Sequence, residues 1–175
     1  MTIKNYLALV LIGVSFSVHA ARADETALAV WANEAIVATY SFDYKNFMQR
    51  QQEIAKYFTA KGWTDYSKVF LESKIPEAVQ ANSYFVSAVA THPPIIITKD
   101  STHWQARMPL LVVYQNPQYQ QKQTLEVTIN FSEAPAGQGI RNFAITSLES
   151  KAIKPSCKCD IVQPLDSTAP IKIEQ

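Results

Sequence analysis

Apolar and polar positions alternate along Trp104–Tyr114 with a period of two. Trp104, Ala106, Met108, Leu110, Val112 and Tyr114 fall on one face, and Gln105, Arg107, Pro109, Leu111, Val113 and Gln115 on the other. Successive strand side chains point to opposite sides, so the pattern predicts a long β-strand with one apolar or amphipathic face. At ~3.3 Å per residue it is long enough to cross a small domain. Pro109 has no amide hydrogen for the ladder and predicts a bulge or a stretch of edge. A strand bent there suits a sheet that curls around a helix. Gln123–Phe131 repeats the pattern: Leu125, Val127, Ile129 and Phe131 inward, Thr124, Glu126, Thr128 and Asn130 toward water. Tyr84–Ala90, Ile95–Thr98 and Ile140–Leu148 also read as strands, the last with Phe143 and Ile145 on one face.

Upstream the period becomes helical. Leu28, Trp31, Ala32, Ala35, Ile36 and Thr39 make one apolar stripe on a helix, with Thr26 as its predicted N-cap and its end near Tyr40. Asp43 is the predicted cap of a second helix, Tyr44–Phe58, which Gly62 ends by taking the left-handed conformation. Thr64 caps a third helix, Asp65–Ser73, and a short fourth runs from Pro76 to about Asn82. Helices first and strands after, with short connections, predict an α+β fold. The expected architecture is a cone: N-terminal helices on a curved antiparallel sheet of about four strands, with the first helix as the cover.

The two ends of the chain differ from this domain. Lys4 precedes an apolar run, Tyr6–Val18, and small residues follow at Val18-His19-Ala20 and Ala21-Arg22-Ala23. That is the pattern of a secretory signal. The run is nearer ~13 residues than the ~20 that span a bilayer. Cleavage is placed after Ala23, with Ala20 as the alternative. The expected division is a signal at 1–23, a domain at 24–150 and a mobile tail at 151–175. The product would be periplasmic or secreted. An uncleaved signal anchor, facing the periplasm from the inner membrane, is the other reading, and membrane contact is expected only then. The two cysteines, Cys157 and Cys159, lie in the tail. A bridge between such near neighbours closes a strained ring and staples nothing distant. Inert or locally paired thiols, an intermolecular disulfide, and a metal or redox role all stay open. Two thiolates are half a zinc site, with no histidine nearby, and no metal or cofactor is expected.

Charge narrows the field further. The formal net charge is +1, and −1 once Lys4 and Arg22 leave with a signal. No basic stripe points to nucleic acid, and no Gly-rich loop points to phosphate. There is no Gly-x-Ser-x-Gly elbow, no His-Glu-x-x-His and no Cys-His pair at a recognisable spacing. His92 and His103, with Asp43 or Asp100, are the acid–base candidates, against a plainer reading as surface turns and a helix cap. Arg107 and Tyr114 are candidate interface residues on the central strand. Trp31 joins them if it proves exposed, although tryptophans at these positions read first as core.

Four blocks resemble the DotI/IcmL family. They are Ala32–Tyr44 (Ala-Asn-Glu-Ala-Ile-Val-Ala-Thr-Tyr-Ser-Phe-Asp-Tyr), Tyr57-Phe58-Thr59 with Gly62-Trp63, Val86–Ala90, and Trp104 with Arg107–Gln115. Together they cover Trp31 to Ile145. The family belongs to the inner-membrane complex of the type IVB (Dot/Icm) secretion apparatus. The resemblance implies a periplasmic domain like the VirB-type assembly proteins, with a nuclear-transport-factor-two-like core. It implies protein partners or self-association and no catalytic residues. Members typically carry a true transmembrane helix ahead of the domain, where this chain has a signal-like run. The alternative is therefore a soluble paralogue that uses the cone pocket for small-molecule binding or acid–base catalysis.

Overall fold

The computed structural model describes residues 24–154. The signal segment with Ala20 and Ala23, and the Cys157–Cys159 pair, lie outside the described residues.

The first helix, α1 (Glu25–Thr39), buries Leu28, Trp31, Ala32, Ala35 and Ile36. Its cap is Asp24 rather than Thr26: the Asp24 carboxylate accepts the Thr26 amide at 3.2 Å. A carboxylate there also complements the positive end of the helix. The predicted second helix is shorter at both ends. The Asp43 carboxylate accepts the Lys45 and Asn46 amides at 2.7 and 3.0 Å. This holds a turn between the two-residue strand β1 (Phe42–Asp43) and α2 (Phe47–Ala55). Phe58 is not helical. Thr59 donates to the Ile145 carbonyl at 2.9 Å and Ile145 to that of Tyr57 at 2.7 Å, a parallel bridge across Phe58.

The third helix, α3 (Ala60–Glu72), begins four residues before the predicted cap. Thr59 is its N-cap, accepting from the Gly62 amide at 3.1 Å. Gly62 therefore opens this helix instead of closing the one before. Its lack of a side chain serves close approach: an added β-carbon would lie 2.6 Å from the Ile145 carbonyl oxygen and 3.0 Å from that of Thr146. The fourth helix, α4 (Ile75–Ala81), has Pro76 in its first turn, as expected.

The strands are β2 (Phe85–Ala90), β3 (Ile95–Thr98), β4 (His103–Gln115), β5 (Gln120–Glu133) and β6 (Phe143–Ala152). With β1 they form one six-stranded antiparallel sheet, ordered β1-β2-β4-β5-β6, with β3 also on β4. The sheet thus exceeds the expected four strands, and two of the six are very short. The last strand ends at Ala152, not Leu148, so Lys151 and Ala152 pair with Glu126 and Leu125. Pro109 makes no bulge against β5. It falls where the neighbour on its other side changes from β2, which ends opposite Leu110, to β3, which begins opposite Arg107. Its carbonyl accepts the Thr91 amide at 3.1 Å. In an antiparallel strand N–H and C=O of one residue share a side, so the missing N–H faces this gap. The bulge lies instead between β5 and β6, at Asn130/Phe131.

The inward residues of β4 and β5 are buried from Trp104 to Val112 and from Leu125 to Phe131. At the narrow end Trp31 packs 4.9 Å from the Phe131 ring, and Trp104 and Phe143 complete the cluster. The Trp31 indole donates to the Ile140 carbonyl at 2.8 Å.

Gly62→Ala gains about 1 kcal/mol of helix propensity. It is expected to lose more to the clash, because overpacking costs about 1–3 kcal/mol and both carbonyls are fixed main-chain atoms. Urea unfolding should show a lower midpoint at unchanged m value. A higher midpoint would mean that α3 lifts off β6 freely.

Candidate functional site

The helix α1 covers only part of the concave face. The rest forms a groove of about 560 Å³ between α3 and β6, floored by Tyr114. Tyr40 and Phe42 close it from the end of α1, Tyr66, Val69 and Phe70 from α3, and Leu148 and Ser150 from β6. The register explains this membership. Leu148 and Ser150 oppose the inward residues Ile129 and Val127, so their side chains share the concave face.

Three phenols converge here. Burial pushes the Tyr40 hydroxyl up to about 12, against a hydrogen bond with Ser150 that lowers it and beside Tyr114, which adds to the rise. Burial also raises Tyr66, helped by Tyr40 and Tyr114, and raises Tyr114 itself. Tyr66 stacks between Phe58 and Phe70 at 5.1 and 5.6 Å. Of the charged residues that border it, Asp65 is exposed at the rim and paired with Lys61, and Glu149, between Leu148 and Ser150, turns its exposed side chain to the outer face. Neither histidine lines the groove.

The predicted acid–base partners do meet, but elsewhere. His103 Nδ1 lies 3.0 Å from the Asp100 carboxylate in the turn before β4, with both side chains more than half exposed. The Thr102 amide, and then His103, hold the Asp100 carboxyl below its usual range. The pair closes a surface turn. His92 is exposed in the turn after β2, and Asp43 is occupied by the amides of its own turn.

The outer face of the sheet carries a second feature. Phe85, Val89, Ile95 and Ile97 are exposed apolar side chains. Register places Val89 opposite Leu111, and Ile95 opposite Arg107. Arg107 therefore stands exposed within an apolar patch spanning β2, β4 and β3. Trp31, buried at 1% exposure, belongs to the core and is not available to a partner. Tyr114 faces the groove, not the outer surface. Sequence reasoning missed Tyr40 and Tyr66 as members of one site. They lie on different helices and nothing in their spacing joins them. It also missed Glu34, whose carboxylate accepts from Tyr57 Oη at 2.8 Å and pairs with Arg141.

Among the described residues no helix is long and apolar enough to cross a membrane, and no group of metal-ligating side chains gathers. A family model described as the DotI/IcmL inner-membrane complex component of the type IVb secretion system matches residues 15–151. No curated protein matches the chain. An IcmL-like type IV secretion system protein from Legionella pneumophila is 64% identical, with a TM-score of 0.76 over 78% of this chain and 98% of that one. The periplasmic domain of DotI is 29% identical, with a TM-score of 0.69 over 73% and 95%. CagV, a VirB8 homologue from Helicobacter pylori, has the same fold at 11% identity, with a TM-score of 0.59 over 74% and 100%.

The groove phenols are neutral in the folded domain and ionise near pH ~10 once unfolded. Above that value the unfolded chain binds fewer protons than the native one, so stability falls as pH rises. The contribution is intact below pH ~10 and is lost as pH climbs toward about 12 for Tyr40. Thermal unfolding, followed with phenolate absorbance, should show this alkaline loss, and Tyr40→Phe should reduce it. An unchanged loss in Tyr40→Phe would assign it to other groups.

Proposed function

The chain belongs to the DotI/IcmL family of type IVb secretion inner-membrane complex components, and from that membership we propose that it is a non-enzymatic periplasmic assembly domain. Its work is to hold protein partners of the envelope complex, or further copies of itself. The observation that carries this reading is the outer apolar patch around Arg107. Val89 is 58% and Ile95 66% exposed, on one sheet face, opposite Leu111 and Arg107 of β4. A contiguous exposed apolar patch on a soluble surface marks an interaction site. A cation within it gives register to the contact, since charges set orientation more than affinity. The groove points the same way. Its walls are aromatic and aliphatic, and the carboxylate that borders it, Asp65, sits at the wet rim paired with Lys61.

A soluble paralogue that binds a small molecule in the cone is the second reading, favoured by the volume of the groove and its three phenols. The extent of the domain from residue 24, its export signal and any cleavage after Ala23 belong to the proposal as well.

A tagged full-length chain, purified from detergent-solubilised envelopes, should bring down inner-membrane secretion components. Mass spectrometry of its N-terminus should begin at Asp24. Val89→Lys with Ile95→Lys should leave thermal stability unchanged and remove those partners, because each change is solvent-exposed and touches no core residue. Recovery of a cleaved chain without secretion components would move the small-molecule reading to first place.

A further inference from the structure

Arg107 stands on the outer face of β4 without a counter-charge. Among the described residues no ion pair and no side-chain hydrogen bond includes its guanidinium. The register settles what surrounds it. Ile95 flanks it on β3 and Thr128 on β5. Gln105 and Pro109 share its face along β4. Gln105 donates to the Asn130 side chain at 3.1 Å, and Asn130 to Ser147 Oγ at 2.8 Å, so that row is satisfied within itself. Two carboxylates share the face farther off. Glu126 lies opposite Lys151, and Glu149 lies beyond Thr128. On the other side the surface is apolar, with Val89, Ile95 and Ile97 exposed.

Any partner that covers those three side chains takes the water from Arg107 as well. A guanidinium stays charged, and a buried charge left without an opposite one is strongly unfavourable. The occupant must therefore bring an anion. A second copy of this chain brings the wrong charge. A closed twofold contact uses the same patch on both sides, and Arg107 lies near the middle of the patch, so the two guanidinium groups would meet.

We propose that the outer patch receives an amphipathic segment of a different protein, in which one Asp or Glu pairs with Arg107 and apolar residues around it cover Val89, Ile95 and Ile97. The planar fork of Arg107 takes the carboxylate through two parallel hydrogen bonds, which fixes where on the face the segment sits. The proposal rests on the assembly reading. It adds the chemistry of the partner and rules out a self-contact at this face.

The test places a photo-crosslinking phenylalanine analogue at Val89 or at Ile95 of the full-length chain in intact cells, with Val69 on α3 as the control position. The crosslinked peptide is sequenced by mass spectrometry. Adducts should form at both outer positions and not at Val69, and both should fall on one apolar segment of another protein that contains Asp or Glu. Arg107→Glu should cut both adducts about tenfold or more, since breaking a desolvated charge pair costs at least that much in affinity. Arg107→Gln, which adds no carboxylate near Glu126, should cut them less. Thermal unfolding of both variants should match the native chain, because Arg107 pairs with nothing in the folded domain. Arginine in place of the partner's acidic residue should restore the adducts of Arg107→Glu.

The proposal is overturned if the adducts join two copies of this chain, or if the crosslinked segment has no acidic residue. It is overturned too if neither variant lowers the yield or if the charge swap fails to restore it. Adducts to a secretion component through a segment without Asp or Glu would sink this proposal and leave the assembly reading. No adduct at either position, with no secretion component in the envelope pull-down, would sink both.

Discussion

Two main-chain hydrogen bonds at Ile145 tie the helical layer to the sheet. They fix where α3 starts, because the strand-like stretch that makes them ends at Thr59, the cap of that helix. They also bring the first turn of α3 so close to β6 that only glycine fits at 62. From that pinned end α3 runs over the sheet, with Tyr66 and Phe70 stacked along one side. The groove is the space left between its far part and the open remainder of β6. Closed edge, tight glycine and open groove are consequences of one attachment point.

The period-two stretches were legible because packing in a one-faced sheet reads directly as alternation. Trp104–Tyr114 and Gln123–Phe131 are strands as expected, and their inward faces form the core. The stripe of α1 was legible for the same reason at helical period. The failures cluster where a tertiary contact overrides local preference. Tyr57-Phe58-Thr59 continues a helical pattern, yet its backbone is claimed by Ile145, 86 residues downstream of Thr59. Gly62 reads as a terminator because glycine after a helix is usually one. Its reason for being glycine is a carbonyl in another element. Pro109 reads as a bulge because a proline in a central strand has to be excused. The excuse is a gap between two neighbouring strands, which no local window contains. The site shows the same limit: Tyr114 was flagged, but Tyr40 and Tyr66 become its neighbours only through the fold.

The resemblance read from four sequence blocks and the family match agree, and the blocks coincide with structural necessities. The first spans the second half of α1 and the turn at Asp43. The second holds the Ile145 attachment and Gly62. The last is β4, which pairs with β2, β3 and β5 at once. A VirB8 homologue keeps this fold at 11% identity. What persists at that distance is the fold.

The indole of Trp31 reaches a carbonyl 109 residues farther along the chain. The element made first is thus completed by one of those made last. A chain crossing a membrane in N-to-C order exposes the α1 stripe early, with nothing yet to bury it. The β4–β5 hairpin closes through the short turn at Asn116–Tyr119 and is local enough to form by itself. The helix packs on β2, β3, β4 and β5, so most of the sheet has to be in place before its stripe is buried. Until then a chaperone, or the neighbouring subunit of an assembling complex, would meet an apolar helix rather than a finished surface.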